Sequence, residues 1–364
     1  MADETKKAKK ATKYKKSASK EKTPGKKEGE KKKSGRGLIW LAVLMIVLLC
    51  LAISAYLAYT YVMGMTGPPL TVSTDEPTGL PIQPQPTEPG VPGQPPPVTG
   101  GTCGQTGMVT VMVLAYDTKI EWPYGADAIR LVQVDYGRNR VRVFSLPRDL
   151  WVNLPGQADP YPVGSTLGAL FQTGLDQSTG STAEIHTAAA SMVAQALYDN
   201  FNIIPDDYIT IELNIFATMV DTVGGIDINP PVAYAMETWL FPAGPQHWDG
   251  ATTLAYVRAR NRDEPEWSRL ERQNLVLRAL QQALLNPAIL PQVPNLANQF
   301  QGSVVTDLNL GQITGLSCMV TTVQPGEVLF STIAPEMVLP GPEGTLVPDT
   351  DLVRQLLEAW MAGN

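Results

Sequence analysis

Apolar positions after residue 105 follow strand patterns at five places. Met108–Ala115 is an apolar run rich in valine, which is typical of a strand buried on both faces. Two of the other runs are joined by the loop 135–139, whose Asp, Gly and Asn residues favour a hairpin. The remaining strands that these patterns predict are Ala128–Val134, Arg140–Leu146, Tyr208–Leu213 and Ile226–Ile228.

Helical spacing of apolar residues separates these runs. Ser181–Glu184 is a capping-box sequence, and the helix after it should end near Phe201. Asp249 can cap a short helix through Val257, and Ser268–Glu271 predicts a second capping box that opens a helix to about Leu285. Because strands and helices interleave, we expect an α/β fold: a layered domain with a central mixed β-sheet flanked by helices.

The N-terminal part separates charged from apolar residues. Residues 1–36 carry 15 Lys+Arg and 5 Asp+Glu, which predicts a disordered basic tail. Leu38–Val62 then runs 25 residues without a charge, enough for a single transmembrane helix. All the lysines of the tail precede this span, so the positive-inside rule places the N-terminus in the cytoplasm and the C-terminal domain outside the cell membrane. A cleaved signal peptide is the alternative.

Composition divides the chain further. Residues 68–97 contain eleven prolines, which predicts an extended spacer that holds the folded part off the membrane. The predicted order is a basic cytoplasmic tail (1–36), a transmembrane helix (37–64), a Pro-rich extracytoplasmic linker (65–105), a catalytic domain (106–290) and a C-terminal extension packed on the same domain (291–364). We expect no nucleic-acid partner, because the tail has no recognition element and suits anionic lipid instead.

The cysteines leave open whether the domain contains a disulfide, and the histidines do not predict a zinc site. Cys103 and Cys318 are the only cysteines outside the predicted span, and either a disulfide or two buried thiols would fit an oxidising compartment. His186 and His247 are too isolated in sequence to predict a zinc site.

Charged residues collect where the predicted strands and helices end. Asp117 closes the first strand, Asp127 opens the second, and Arg148-Asp149 follows the third. Ligands of α/β sheets bind at strand ends and helix N-termini, so these groups are expected to converge with the arginines near the helix boundaries. Those arginines are Arg258, Arg260, Arg269 and Arg272.

The helix predicted from Ser268 has cations at its N-terminal end. Arg269, Arg272 and Gln273 share one face of its first turns, where the helix dipole disfavours positive charge. A phosphate ligand would resolve that conflict, whereas ion pairs with Asp263, Glu264 and Glu266 are the alternative. Two carboxylates beside such arginines predict a Mg²⁺ ion bridging to phosphate oxygens.

Six motifs in this order resemble the LytR-CpsA-Psr family of membrane-anchored phosphotransferases of bacterial cell envelopes. The resemblance covers about Met108 to Leu285 and is weaker towards the C-terminus. The motifs are Val113–Asp117, the loop to Asp127, Phe144–Asp149, Val220–Asp227, Asp249–Arg260 and Arg269–Gln273.

The resemblance implies a function and a role for each matching residue. The domain would take a polyprenyl pyrophosphate-linked glycan, with its lipid in a hydrophobic channel, and transfer the phospho-glycan to a hydroxyl of peptidoglycan or a similar acceptor; a pyrophosphatase side activity is also expected. Asp117 and Asp127 match Mg²⁺-associated aspartates, and with Arg148 they would be catalytic. The positions that match pyrophosphate contacts are Arg148, Arg258, Arg260, Arg269 and Gln273, with Arg272 adjacent.

Three departures from the family pattern keep a second interpretation open. Gly125 stands where an arginine is usual, Ala115 replaces a glycine, and Glu266 replaces an aspartate. A missing arginine weakens a phosphate clamp, so a non-catalytic polyprenyl-glycan binding or scaffolding protein is the alternative. Alanines at 188–196 would either leave room for a lipid or allow close packing of a helix.

Overall fold

The computed structural model describes residues 65–74, 102–117, 125–154, 164–236, 238–261, 264–286 and 303–363. The predicted basic tail and transmembrane helix lie outside those residues. None of the helices within the described ranges has the length and apolar character that a bilayer crossing requires.

A six-stranded mixed sheet forms the centre of the fold, in the strand order β11-β6-β1-β2-β3-β12. β1 runs antiparallel to β2 and parallel to β6, and β3 runs antiparallel to β2 and parallel to β12. The predicted mixed sheet is therefore confirmed. The strands are Met108–Tyr116 (β1), Ala126–Asp135 (β2), Arg140–Leu146 (β3), Trp151–Asn153 (β4), Gly164–Thr166 (β5), Asp207–Glu212 (β6), Ile226–Ile228 (β7), Tyr234–Ala235 (β8), Leu240–Phe241 (β9), Gln246–Trp248 (β10), Val304–Thr306 (β11), Val328–Thr332 (β12), Val338–Pro340 (β13) and Leu346–Pro348 (β14).

Helices pack on both faces of this sheet. The capping box at Ser181 and the N-cap at Asp249 are confirmed. The second capping box is wrong: the helix begins at Glu266 after Pro265, and Ser268 lies inside its first turn. The helices are Leu167–Gln177 (α1), Thr182–Phe201 (α2), Leu213–Thr222 (α3), Gly250–Arg258 (α4), Glu266–Leu284 (α5), Leu310–Thr322 (α6) and Thr350–Met361 (α7).

One face of the sheet is covered by α1, α2 and α7. Alternate strand residues such as Leu114, Leu131 and Phe144 point into this core and are fully buried. The alanines of α2 belong here: a Cβ added at Gly174 of α1 would lie 2.4 Å from the Cα of Ala189. Close helix packing therefore accounts for Ala189, whereas Ala188 and Ala196 line a separate open cavity of about 730 Å³.

The C-terminal part supplies both edges of the sheet. β11 pairs with β6 and β12 pairs with β3, as expected for edge strands of the main domain. Cys103, just before β1, forms a disulfide with Cys318 of α6, with 5.7 Å between the two Cα atoms. The two cysteines therefore form a disulfide rather than two buried thiols. Closing so long a loop stabilises the fold by about 5 kcal/mol in the chain-entropy treatment.

Residues 65–74 are attached to the domain. Thr66 bridges Thr306 in parallel, and the amides of Leu70 and Thr71 donate to Asp307 Oδ2 and Ser191 Oγ at 3.2 and 3.1 Å. The start of the predicted linker is thus part of the folded surface. The proline-rich stretch that could act as a linker, 75–101, lies outside the described residues.

Candidate active site

A β-bulge sets the position of Asp127. Ala115 faces Ala128 and Tyr116 faces Ala126, so Asp127 is the extra residue of β2. Asp117 follows β1 directly, which brings the two aspartates to neighbouring strand ends. The strand register thus brings the two residues to the same edge of the sheet, and the bulge itself has no signal in the sequence.

Gly125, immediately before β2, explains the missing arginine. Its φ is +79°, and an added Cβ would lie 1.8 Å from the carbonyl oxygen of Gly168 at the start of α1. No side chain fits this backbone. The chain has exchanged an arginine here for a close approach between β2 and α1.

Three partly exposed arginines pair with the carboxylates at this end of the sheet. Arg258 pairs with Asp117, and Arg148 pairs with Asp127. Arg260 Nη1 lies 3.0 Å from Asp149 Oδ2. The side chains of Arg258 and Arg260 remain 33% and 34% exposed, so both guanidinium groups can reach a ligand from solvent.

Two arginines of α5, Arg269 and Arg272, are buried and have carboxylate partners of their own. Arg269 pairs with Glu266, and its Nη1 donates to the carbonyl oxygen of Asp127 at 2.9 Å. Burial alone would lower the pKa of Arg269, but the hydrogen bonds and charge of Glu266 outweigh it and raise the pKa. Arg272 pairs with Glu264. Both residues form the ion pairs expected as the alternative, and these contacts fix α5 against β2 and the loop before α5; contact with a phosphate ligand stays a prediction.

Arg130 is a cation that sequence reasoning missed. It lies in the middle of β2, is 5% exposed, and donates through Nη2 to Gln273 Oε1. Burial and the nearby charge of Arg269 lower its pKa to about 9. A charged residue between the apolar Ile129 and Leu131, in the middle of a predicted strand, was the available signal.

An apolar cavity of about 190 Å³ adjoins these groups on the second face of the sheet. Its floor is formed by small residues of β1 and β2, including Ala115 and Ala128, and its walls by α3 and α5. The larger side chains that line it are Val113, Arg130, Ile211, Glu212, Leu213, Phe216, Met219, Val257, Gln273, Val276, Leu277 and Leu280.

The donor set fits a hard divalent cation with phosphate as a co-ligand. In the described part of the chain no group of three or more His, Cys, Asp or Glu side chains is arranged to hold a metal. Asp117 and Asp127 are two carboxylates at adjacent strand ends, which matches the one or two that Mg²⁺ takes when phosphate and water complete its shell. Both aspartates pair with arginines in the structure. A Mg²⁺ ion would therefore bind together with an anion that takes the place of the aspartates on those arginines.

The histidines have structural surroundings. A ring nitrogen of His186 lies 3.0 Å from Thr210 Oγ1, and burial lowers the His186 pKa. His247 is exposed, and its hydrogen bond with Asp227 raises its pKa. Neither arrangement resembles a metal centre or a nucleophile–base pair.

The LytR_cpsA_psr family model matches residues 92–356. The chain belongs to this family. Curated relatives include the polyisoprenyl-teichoic acid–peptidoglycan teichoic acid transferases TagU of Oceanobacillus iheyensis, at 22% identity over 57% of this chain and 61% of the relative, and TagV of Bacillus subtilis, at 25% identity over 51% and 45%. The matched segment thus spans about half to three-fifths of these relatives.

Solved structures agree with the family fold. The crystal structure of B. subtilis TagV matches 70% of this chain and 97% of that one, with a TM-score of 0.54 and 21% identity. TagT bound to LI-WTA matches 72% and 93%, with a TM-score of 0.52 and 17% identity. A LytR-Csp2A-Psr enzyme from Actinomyces oris matches 69% and 89%, with a TM-score of 0.51 and 22% identity. At these identities the likeness establishes the fold.

Proposed function

We propose that this LytR_cpsA_psr protein transfers a phospho-glycan from a polyprenyl pyrophosphate carrier to a sugar hydroxyl of peptidoglycan or a similar envelope polymer. The observation that carries the proposal is the position of the partly exposed Arg148, Arg258 and Arg260 next to an apolar cavity. A ligand with a charged head and a long apolar tail suits that combination. Relatives named as teichoic acid transferases, and TagT bound to LI-WTA, support the same class of donor.

Binding of the pyrophosphate would change the ion-pair partners of Arg258 and Arg148 before the transfer. Pyrophosphate oxygens can replace Asp117 on Arg258 and Asp127 on Arg148, because phosphate accepts the same charged hydrogen bonds as a carboxylate. The released aspartates then face the head group. When bound, Mg²⁺ would neutralise charge on the pyrophosphate, with Asp117 and Asp127 as its protein ligands.

The transfer itself needs little covalent help from the protein. The acceptor hydroxyl forms a bond to the glycan-linked phosphorus, its proton passes to one of the released aspartates, and the bond to the bridging oxygen breaks. The bridging oxygen leaves with the polyprenyl phosphate. Arg148, Arg258 and Arg260 hold the reacting groups in line and stabilise the developing charge, which is the main source of rate in phosphoryl transfer.

The test uses the full chain in lipid nanodiscs with a short-chain polyprenyl pyrophosphate and Mg²⁺. Binding and phosphate release are measured for wild type, Arg148→Ala and Asp117→Ala. Arg140→Ala is the matched control, because Arg140 is also a partly exposed arginine paired with a carboxylate, Glu327 at 2.7 Å, but lies outside the site. We expect Mg²⁺-dependent cleavage in wild type and the control, and its loss in both site variants.

One observation favours a second candidate function. Gly125 excludes an arginine from a position where the family usually has one, so the protein could hold a polyprenyl-linked glycan without turning it over. Tight binding that Arg148→Ala weakens, with no cleavage by wild type, would establish this binding function and reject the transferase.

A further inference from the structure

Arg130 differs from the other arginines around the site in its charge balance. Arg148, Arg258, Arg260, Arg269 and Arg272 each pair with an aspartate or glutamate. Within the described ranges no carboxylate lies at ion-pair distance from Arg130, whose partners are Gln273 Oε1 and the carbonyl oxygen of Ile129 at 3.2 Å. Its Nε has no hydrogen-bond partner in that part of the chain. The guanidinium is therefore buried without an ion-pair partner in the described residues, and the charge of Glu266, which pairs with Arg269, offsets only part of the burial that lowers the pKa of Arg130.

Burying such a charge opposes folding. Charged groups inside proteins are normally paired, or they lose their charge. Arg130 does neither, since a pKa of about 9 keeps it protonated at neutral pH. An anion that arrives with a ligand would supply the missing countercharge.

Arg130 also decides which way Gln273 points. An arginine has only donors, so the side-chain oxygen of Gln273 must face the guanidinium and the NH₂ group must point away from it. That NH₂ group has one weak bond, 3.5 Å to the carbonyl oxygen of Val257. Gln273 is thus held as a hydrogen-bond donor for a further acceptor.

The pair lies at the junction between the charged and apolar parts of the site. Both side chains contribute to the wall of the apolar cavity. Gln273 follows Arg269 by one helical turn, and Arg269 contacts the backbone of Asp127. A pyrophosphate seated on the strand-end arginines, with its tail in the cavity, would place its lipid-linked phosphate at this junction.

We propose that Arg130 is a positioning residue for the lipid-linked phosphate: it orients the Gln273 NH₂ group as a donor and supplies an unpaired positive charge behind it. The proposal rests on the proposed function. In the transfer the bridging oxygen stays on the polyprenyl phosphate, whose negative charge increases, and the charge of Arg130 stabilises that leaving group.

The test measures binding of farnesyl phosphate, farnesyl pyrophosphate and farnesol to the full chain in nanodiscs. For Arg130→Met we expect at least a tenfold loss of affinity for farnesyl phosphate with farnesol binding unchanged, and partial recovery in Arg130→Lys. The melting temperature should stay equal to wild type or rise, because the buried charge without an ion-pair partner is gone. An unchanged preference for farnesyl phosphate over farnesol in Arg130→Met, or no such preference in wild type, would overturn the proposal.

Gln273→Glu provides a second route should Arg130→Met fail to fold. A carboxylate opposite Arg130 completes a buried ion pair, so the variant should be at least as stable as wild type and should lose the preference for farnesyl phosphate. Retention of the preference counts against the proposal. Turnover by wild type is scored separately: selective phosphate binding that depends on Arg130, without cleavage, would leave this inference standing while rejecting the transferase.

Discussion

Two buried arginines of the central sheet, Arg142 and Arg130, each form a pair with a glutamine, and the two pairs have different surroundings. Arg142 donates to Gln133 and to the carbonyl oxygen of Trp360, and its guanidinium lies 5.1 Å from the centre of the Trp360 ring. Gln133 in turn donates to the carbonyl oxygen of Met361 at 2.9 Å. Arg130 bonds to Gln273 beside an apolar cavity and has no comparable set of partners in the described part of the protein.

The difference shows how one residue pair can serve either stability or binding. The Arg142 pair fastens the last helix, α7, to the sheet, and Asp135 offsets part of the burial that lowers the Arg142 pKa. The Arg130 pair joins β2 to α5 and leaves the Gln273 NH₂ group at the wall of the cavity, with a long hydrogen bond of 3.5 Å to the carbonyl oxygen of Val257. Groups that oppose folding and persist beside a cavity are commonly those that a ligand uses.

The largest expected effect lies at the strand ends. Arg148→Ala should lower the transfer rate about 10²–10³-fold, because one preorganised donor to the transition-state charge is lost. Its melting temperature should change by only a few degrees, since the arginine is partly exposed. Rate and calorimetry are measured on the same sample; a rate within threefold of wild type would remove Arg148 from the site.

Arg142→Met should lower the stability of the protein and leave ligand binding unchanged, which is the reverse of the effect of Arg148→Ala. Gln133 and the carbonyl oxygen of Trp360 lose a partner, which costs about 2–3 kcal/mol of the free energy of unfolding. Denaturant unfolding measures the loss. Below the melting temperature the preference for farnesyl phosphate over farnesol should remain that of wild type. If Arg142→Met alters ligand preference as much as Arg130→Met does, the comparison between the two pairs fails.

The pH dependence separates the pairs more finely. With a pKa of about 9, Arg130 loses its proton as the pH rises through 9, so the preference for farnesyl phosphate should decline there in wild type and stay flat in Arg130→Met. Because the folded pKa lies below the unfolded one, the unfolded state binds more protons above pH 9. The Arg130 contribution to stability therefore improves as the pH rises from there. Binding of farnesyl phosphate and farnesol, measured between pH 7 and 10, checks whether the preference for farnesyl phosphate declines as expected.

The smallest expected effect is the loss of the exposed ion pair between His247 and Asp227. His247→Ala removes the ion pair with Asp227, and because both groups are mostly exposed the loss should be under about 0.5 kcal/mol. The Asp227 hydrogen bond raises the folded pKa of His247, so its contribution is complete below the unfolded pKa near 6.5 and disappears as the pH rises through the folded pKa. Denaturant midpoints at pH 5.5 and 8.5 would show it.

Much of the fold followed from local pattern. Strands β1 to β3, the hairpin between β2 and β3 and the capped helix α2 depend on side-chain alternation and on caps within a few residues, which a sequence displays directly. The start of α5 did not follow, because the helix begins directly after Pro265, whose position is three residues before the predicted cap at Ser268. Attachment of residues 65–74 was also missed, since it depends on partners more than a hundred residues away.

The sequence by itself determined which chemistry is present: aspartates at strand ends, arginines at helix boundaries and the order of motifs that places the chain in its family. The tertiary structure alone decided which of these charged side chains form pairs. It paired each strand-end arginine with a carboxylate, placed the cavity on the face opposite the alanine-rich helix, and left Arg130 without an ion-pair partner in the described residues. Residue type sets what a side chain can bond with, but pairing and burial depend on strand register and helix packing, which join residues far apart in the chain.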